Sequence, residues 1–236
     1  MRAEVVTHPG LMRPENEDAF LVDLELGLLA VADGMGGHRA GEVASALALK
    51  ALGEKVKEHC QGDPLMHLVS AVRFANRVVY RSALGREDYR GMGTTLTAAW
   101  FIGKEVLLAH VGDSRAYLFR DGQLRMLTSD HSYVGELVRS GGLTQEEARY
   151  HPQRNILTRA LGTGDEVEVD GKAVSLEEGD LLLLCTDGLP EVVRDEEIAL
   201  TLKRGGTLKQ TLDELLSLAL ERGGPDNITV VLAAHD

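Results

Sequence analysis

Three times in this 236-residue chain an apolar run stops at an aspartate beside a glycine: Leu28 to Asp33-Gly34, Val106 to Gly112-Asp113, and Leu181 to Asp187-Gly188. A fourth aspartate, Asp226, stands just before the apolar run Ile228 to Ala234. Runs of this length bounded by turn residues read as buried strands, and strands of one sheet can deliver the residues at their ends to a common edge. Carboxylates gathered there repel one another in a partly dry site, so protons or bound cations must neutralise them. All-oxygen ligation by carboxylates, carbonyls and water suits Mg²⁺ or Mn²⁺. The pattern points to a multi-metal hydrolytic centre.

A single Asp-Gly pair is most often a plain turn, and it is the repetition after apolar runs that argues for more. A carboxylate at a strand end can bridge two cations, and the glycine after Asp33 lets the backbone turn sharply enough for the Gly34 carbonyl to ligate as well. Asn227 can orient a carboxylate from behind. Near the N-terminus, Arg13-Pro14-Glu15-Asn16-Glu17-Asp18 sets an arginine ahead of a dense acidic group. Alone this reads as a solvated charged turn; beside a metal centre, a guanidinium offers the planar, bidentate grip on phosphate that carboxylates would repel.

The elements that must position these residues follow from spacing. Ala19 to Ala32 reads as a hairpin turning at Asp23 to Gly27, followed by helices over 40–58 and 65–84, the second with Pro64 at its first turn. Strands over 94–101, 106–111, 116–120 and 123–127 are joined by short glycine-containing links. Residues 132–155 are polar, Gly-rich and only locally helical, which marks a surface flap beside the core. Strands over 167–174 and 180–186, helices near 196–203 and 208–221, and a final strand complete the chain. Paired helices and hairpin runs make this an α+β protein with mainly antiparallel sheets and helices packed outside.

Composition narrows the function classes. With 44% hydrophobic and 26% charged residues the chain reads as one soluble globular domain over residues 1–236. A formal net charge of -12 argues against nucleic acid or an anionic membrane as partner. No signal peptide or transmembrane stretch is evident, so a cytoplasmic location is expected. Cys60 and Cys185 are far apart and lack a CxxC spacing, which excludes a disulfide framework or thiolate zinc site. His110, Cys185 and Trp100 read as core, and His131 as a residue that pins a turn.

The ordered set Arg13-x-x-Asn16-Glu17-Asp18, Asp33-Gly-Met-Gly-Gly-His38, Gly93-Thr-Thr95, Gly112-Asp-Ser-Arg115, Asp130-His-Ser132, Asp187-Gly188 and Asp226-Asn227 spans nearly the whole chain. It resembles the metal-dependent serine/threonine protein phosphatases of the protein phosphatase 2C (PPM) family, in their compact bacterial form. The resemblance implies a four-layer αββα sandwich, two central antiparallel sheets between helix pairs. It implies two Mn²⁺ or Mg²⁺ ions bridged by Asp33, one ligated by the Gly34 carbonyl and the other held by Asp187 and Asp226. Asp18 and Glu17 would act mostly through bound water, and Asp113 with Asp187 would hold a third, weaker ion. Arg13 would take the substrate phosphate, and a water bridging the two cations would attack phosphorus in line. The implied partners are phosphorylated proteins and an opposing bacterial Ser/Thr kinase, with the chain acting as a monomer.

One departure concerns the general acid. Eukaryotic relatives carry a histidine directly after the first Asp-Gly; here Met35 stands there, and His38 is the nearest candidate, against a capping role at the following helix. Two competing readings are weaker: a catalytically dead binding module would be expected to have lost metal aspartates, and a phosphatase dedicated to one regulator would be expected to lack the full Arg-x-x-Asn-Glu-Asp motif.

Overall fold

In the computed structural model, residues 1–37, 40–60 and 62–235 are described. The strands are β1 (Arg2–His8), β2 (Asp18–Asp23), β3 (Leu28–Met35), β4 (Gly93–Thr94), β5 (Leu96–Ile102), β6 (Glu105–Val111), β7 (Arg115–Arg120), β8 (Gln123–Met126), β9 (Asp170–Ser175), β10 (Leu181–Cys185) and β11 (Ile228–Ala234). The helices are α1 (Ala40–Val56), α2 (Pro64–Gly85), α3 (Tyr133–Arg139), α4 (Gln145–Arg149), α5 (Gly188–Val192), α6 (Asp195–Arg204) and α7 (Leu208–Glu221). One sheet runs β1-β11-β10-β7-β8 and the other β2-β3-β5-β6-β9, with β4 on β3. Every pairing is antiparallel.

The side-chain period of a strand explains the layering. Leu28, Ala30 and Ala32 of β3 face a core shared with α1 and α2, while Leu29 and Val31 face the second sheet. Leu182 and Leu184 of β10 meet them across the sandwich, and Leu183 and Cys185 turn outward onto α5, α6 and α7. Three apolar interiors therefore separate four layers. Central strands buried on both faces read as continuous apolar runs in the sequence for this reason.

The hairpin, the long helices and most strands lie where spacing places them, with three corrections. β1 was not anticipated: its half-buried pattern suits an edge strand, and it pairs along its full length with β11, Arg2 opposite Ala234 and His8 opposite Ile228. The strand expected over 94–101 is interrupted at Thr95, whose N–H donates to the Asp33 carbonyl at 2.9 Å instead of continuing the ladder. β9 begins at Asp170 instead of 167, because Val167 and Val169 turn onto the helix-side core before pairing starts. Among the described residues no helix is long and apolar enough to cross a membrane.

Candidate active site

Each acidic residue arrives from a different strand end. The β2–β3 hairpin sets Asp18 directly opposite Asp33, an arrangement of like charges that costs stability unless something neutralises it. Asp113 lies on the link that carries the chain from β6 in one sheet to β7 in the other. Asp187 follows β10, and Asp226 precedes β11, its strand neighbour. These ends converge on a cleft of about 580 Å³ lined by Asp33, Gly34, Asp113, Asp187 and Asp226, with Arg13 and Glu17 on its N-terminal side. Asp18 sits behind that lining, accepting a hydrogen bond from the Thr186 hydroxyl at 2.8 Å.

Gly34 is held by close backbone approach: a Cβ there would meet the Gly41 carbonyl oxygen at 2.1 Å and the Glu17 carbonyl oxygen at 2.6 Å. Its N–H donates to that Glu17 carbonyl at 3.2 Å. Gly41 in turn leaves room for the Glu17 carboxylate, which would crowd a Cβ at 2.6 Å and which accepts from the Gly41 N–H at the start of α1. Asn227 does the joining on the other side: its carbonyl accepts from the Glu17 N–H at 2.8 Å, and its amide donates to the Pro9 and Glu15 carbonyls at 2.9 Å each.

The electrostatics are those of an uncompensated acidic edge. Burial pushes the Asp18 carboxyl up to about 7 and Asp187 up to about 6. Desolvation, followed by repulsion from Asp187, drives Asp33 and Asp113 well above the usual carboxylate range. At Asp187 repulsion from Asp226 adds to the effect of burial. Arg13 donates to Asp226 Oδ2 at 2.8 Å, and the Asn227 N–H occupies Asp226 Oδ1, also at 2.8 Å.

This donor set fits hard divalent cations. Asp18 Oδ1 and Asp187 Oδ1 are buried oxygens without a hydrogen-bond partner among the described residues, a costly condition that a cation or its water would relieve. Among the described residues no three acidic, histidine or cysteine side chains form a ready-made shell for one ion. A site of this kind, a few carboxylates around open space, suits ions such as Mg²⁺ that retain several waters.

The family signature described as Protein phosphatase 2C matches residues 14–233. This chain belongs to that family. The "Serine/threonine phosphatase stp" of Listeria monocytogenes is 42% identical over 243 residues, covering 100% of this chain and 96% of the relative. The crystal structure of the Mycobacterium tuberculosis serine/threonine phosphatase PstP/Ppp superposes with a TM-score of 0.93 at 44% identity, covering 100% of this chain and 98% of that one. The catalytic domain of PstP solved with two manganese ions superposes with a TM-score of 0.89 at 43% identity, covering 99% and 97%.

In this protein phosphatase 2C chain Met35 lines the cleft directly after Gly34. His38, the sequence candidate for a proton donor, lies outside the described residues. Three site residues carried no role in the sequence. Thr95 stood only as part of a motif; its hydroxyl accepts from the Asp33 N–H at 2.9 Å and bonds the Ser114 hydroxyl at 2.7 Å, tying two acid-bearing segments together. Thr186 had the weak signal of preceding an Asp-Gly pair. Asn155, at the end of the flap segment, lines the cleft with no sequence signal at all.

Proposed function

We propose that this chain is a metal-dependent protein serine/threonine phosphatase that hydrolyses phosphoserine and phosphothreonine on phosphorylated proteins, opposing a bacterial Ser/Thr kinase as a cytoplasmic monomer. The observation that carries the reading is the meeting of Asp33, Asp113, Asp187 and Asp226 at one cleft with Arg13 beside them. Asp33, the Gly34 carbonyl, Asp187 and Asp226 would hold two divalent ions, with Asp113 and Asp187 serving a third. Asp18 and Glu17 would support them through water. Manganese in the related PstP domain favours Mn²⁺, with Mg²⁺ the alternative. When bound, such ions neutralise the acidic edge and acidify coordinated water, so hydrolysis calls for no protein nucleophile.

The chain's own residues do the remaining work. Arg13 stands where its guanidinium can take phosphoryl oxygens, holding an anion beside the carboxylates. Asp33 and Asp187, whose carboxyls burial holds high in the cation-free site, would give up their protons as the ions bind. Thr95 and Asn227 fix the backbone on which the acids sit. His38 remains the side-chain candidate for protonating the leaving alkoxide, with water as the other donor. We assign the whole of residues 1–236 to one catalytic domain, with 132–155 as its flap. Hydrolysis of a phosphothreonine peptide with Mn²⁺ and with excess EDTA tests the reading. Strong release of phosphate with Mn²⁺ and none with EDTA is expected; equal rates in both would refute it.

A further inference from the structure

The turn that carries Asp113 is gripped from outside the cleft by a histidine. Gly112, just before Asp113, has φ +110°, and a Cβ there would strike Thr95 Cβ at 2.6 Å, so only glycine fits. Its carbonyl accepts from the His131 N–H at 2.7 Å, and its own N–H donates to His131 Nδ1 at 3.1 Å. One residue thus satisfies both backbone groups of Gly112. An acceptor at Nδ1 requires that the neutral ring carry its proton on Nε2. Nε2 faces Asp170 Oδ2 at 3.2 Å, an acceptor. The other Asp170 oxygen takes Arg159 Nη1 at 2.9 Å; that nitrogen is also 3.4 Å from Nε2, a longer and weaker approach. The imidazole is 2% exposed and lies against His110 with ring centroids 4.7 Å apart, so the ring is held by packing as well as by its two hydrogen bonds.

We propose that His131 is a positioning residue for Asp113: Asp170 fixes it as the Nε2–H tautomer, and the bare Nδ1 locks the Gly112 N–H and with it the direction of the Asp113 carboxylate. The proposal rests on the reading of Asp113 as a cation ligand. The arrangement is the histidine–carboxylate pairing that usually orients a metal ligand, here applied one step removed, through a backbone N–H.

Three substitutions separate this from a general packing role. An asparagine side chain can put its carbonyl oxygen where Nδ1 was, whereas glutamine reaches only the Nε2 position. Asp170→Asn leaves one oxygen for two donors; the cationic Arg159 claims it, the amide NH₂ faces Nε2, and the ring must shift its proton to Nδ1, against the Gly112 N–H. Asp170 is about half exposed, so this change spares the core.

The experiment combines imidazole ¹⁵N spectra of the full chain with Mn²⁺ titration of phosphopeptide hydrolysis. The wild type should show His131 as the Nε2–H tautomer. His131→Gln and Asp170→Asn should raise the Mn²⁺ concentration for half-maximal activity about 10–100-fold, the usual cost of losing an outer-shell partner, with His131→Asn close to wild type. An Nδ1–H tautomer in the wild type, or Gln and Asn variants that behave alike, overturns the proposal. Asp113→Asn, run beside them, isolates the underlying reading. If it leaves the Mn²⁺ dependence unchanged, Asp113 holds no ion. If it alters that dependence while Asp170→Asn does not, the positioning role is what fails.

Discussion

Arg13 and Asp226 form an ion pair at the rim of the cleft, N to O 2.8 Å, with the arginine side chain 52% exposed. An exposed pair of this sort contributes about 0–1 kcal/mol, less than a charge-assisted, bidentate grip on a phosphate dianion, so an incoming phosphoryl group can take the guanidinium at little cost. Asp226 Oδ2 is freed in the same exchange, while Oδ1 keeps its hydrogen bond from the Asn227 N–H. Arg13→Ala should therefore raise KM for phosphopeptides and weaken product inhibition by inorganic phosphate, with a smaller effect on kcat. An unchanged inhibition constant for phosphate would take Arg13 out of substrate binding. At this scale the sequence was most legible where chemistry and chain neighbours coincide: an acid after an apolar run, an arginine ahead of an acidic group. It was blind to hydroxyls whose work is tertiary. Thr186 donates to Asp18 across 168 positions of sequence, and no local pattern marks such a partnership.

The segment over 132–155 holds two short helices with their own caps, the Ser132 hydroxyl accepting from the Gly135 N–H and Thr144 with Glu147 closing a capping box. Its ends are pinned together: Thr158 N–H donates to the His131 carbonyl and Tyr133 N–H to the Ile156 carbonyl, both at 2.8 Å. Arg149 donates to the Pro190 carbonyl at 3.0 Å and Arg154 pairs with Glu191 at 2.6 Å, so this segment leans on α5, the helix that begins beside Asp187. Between them lies a pocket with Val134, Val138, Met126 and Pro190 on its walls, open to the cleft at Asp113 and Asp187. A phosphorylated protein must present its side chain past this wall, whereas a small aryl phosphate need not. Replacing residues 134–139 with a Gly/Ser sequence should cut phosphopeptide hydrolysis more than p-nitrophenyl phosphate hydrolysis. Equal losses on both would make the segment structural only. The polar, glycine-bearing composition made the excursion visible in sequence, and helical spacing gave α1 and α7 nearly to the residue. β1 escaped because an edge strand with a half-buried pattern lacks the apolar run that betrays a central one.

Across the whole molecule, three apolar interiors hold four layers together while one edge collects buried acids that resist ionisation. The sign of the resulting pH dependence follows from linkage. A carboxyl raised from 3.8 to about 7, as at Asp18, favours the fold while protonated and withdraws that support as pH rises through its folded value. Asp33 and Asp113, raised well above 3.8, act the same way. Buried His110, lowered to about 4, works in the opposite direction, but only between that value and 6.5. The acids are therefore isolated above pH 6.5. In EDTA the melting temperature should fall between pH 6.5 and 8.5, and Mn²⁺ should abolish the fall, because the cation replaces the protons. A flat profile in EDTA would mean that the edge is not strained by its own charge. The most direct test of the central claim, that strand ends assemble a cation-holding hydrolytic centre, is the turnover of a phosphothreonine peptide by Asp33→Asn at saturating Mn²⁺. The substitution keeps size and shape and removes the charge that the site is built around. Turnover should drop by more than the ~10–100-fold that loss of an outer-shell partner costs, with the circular dichroism spectrum unchanged. A rate near wild type in a folded Asp33→Asn protein would contradict the account.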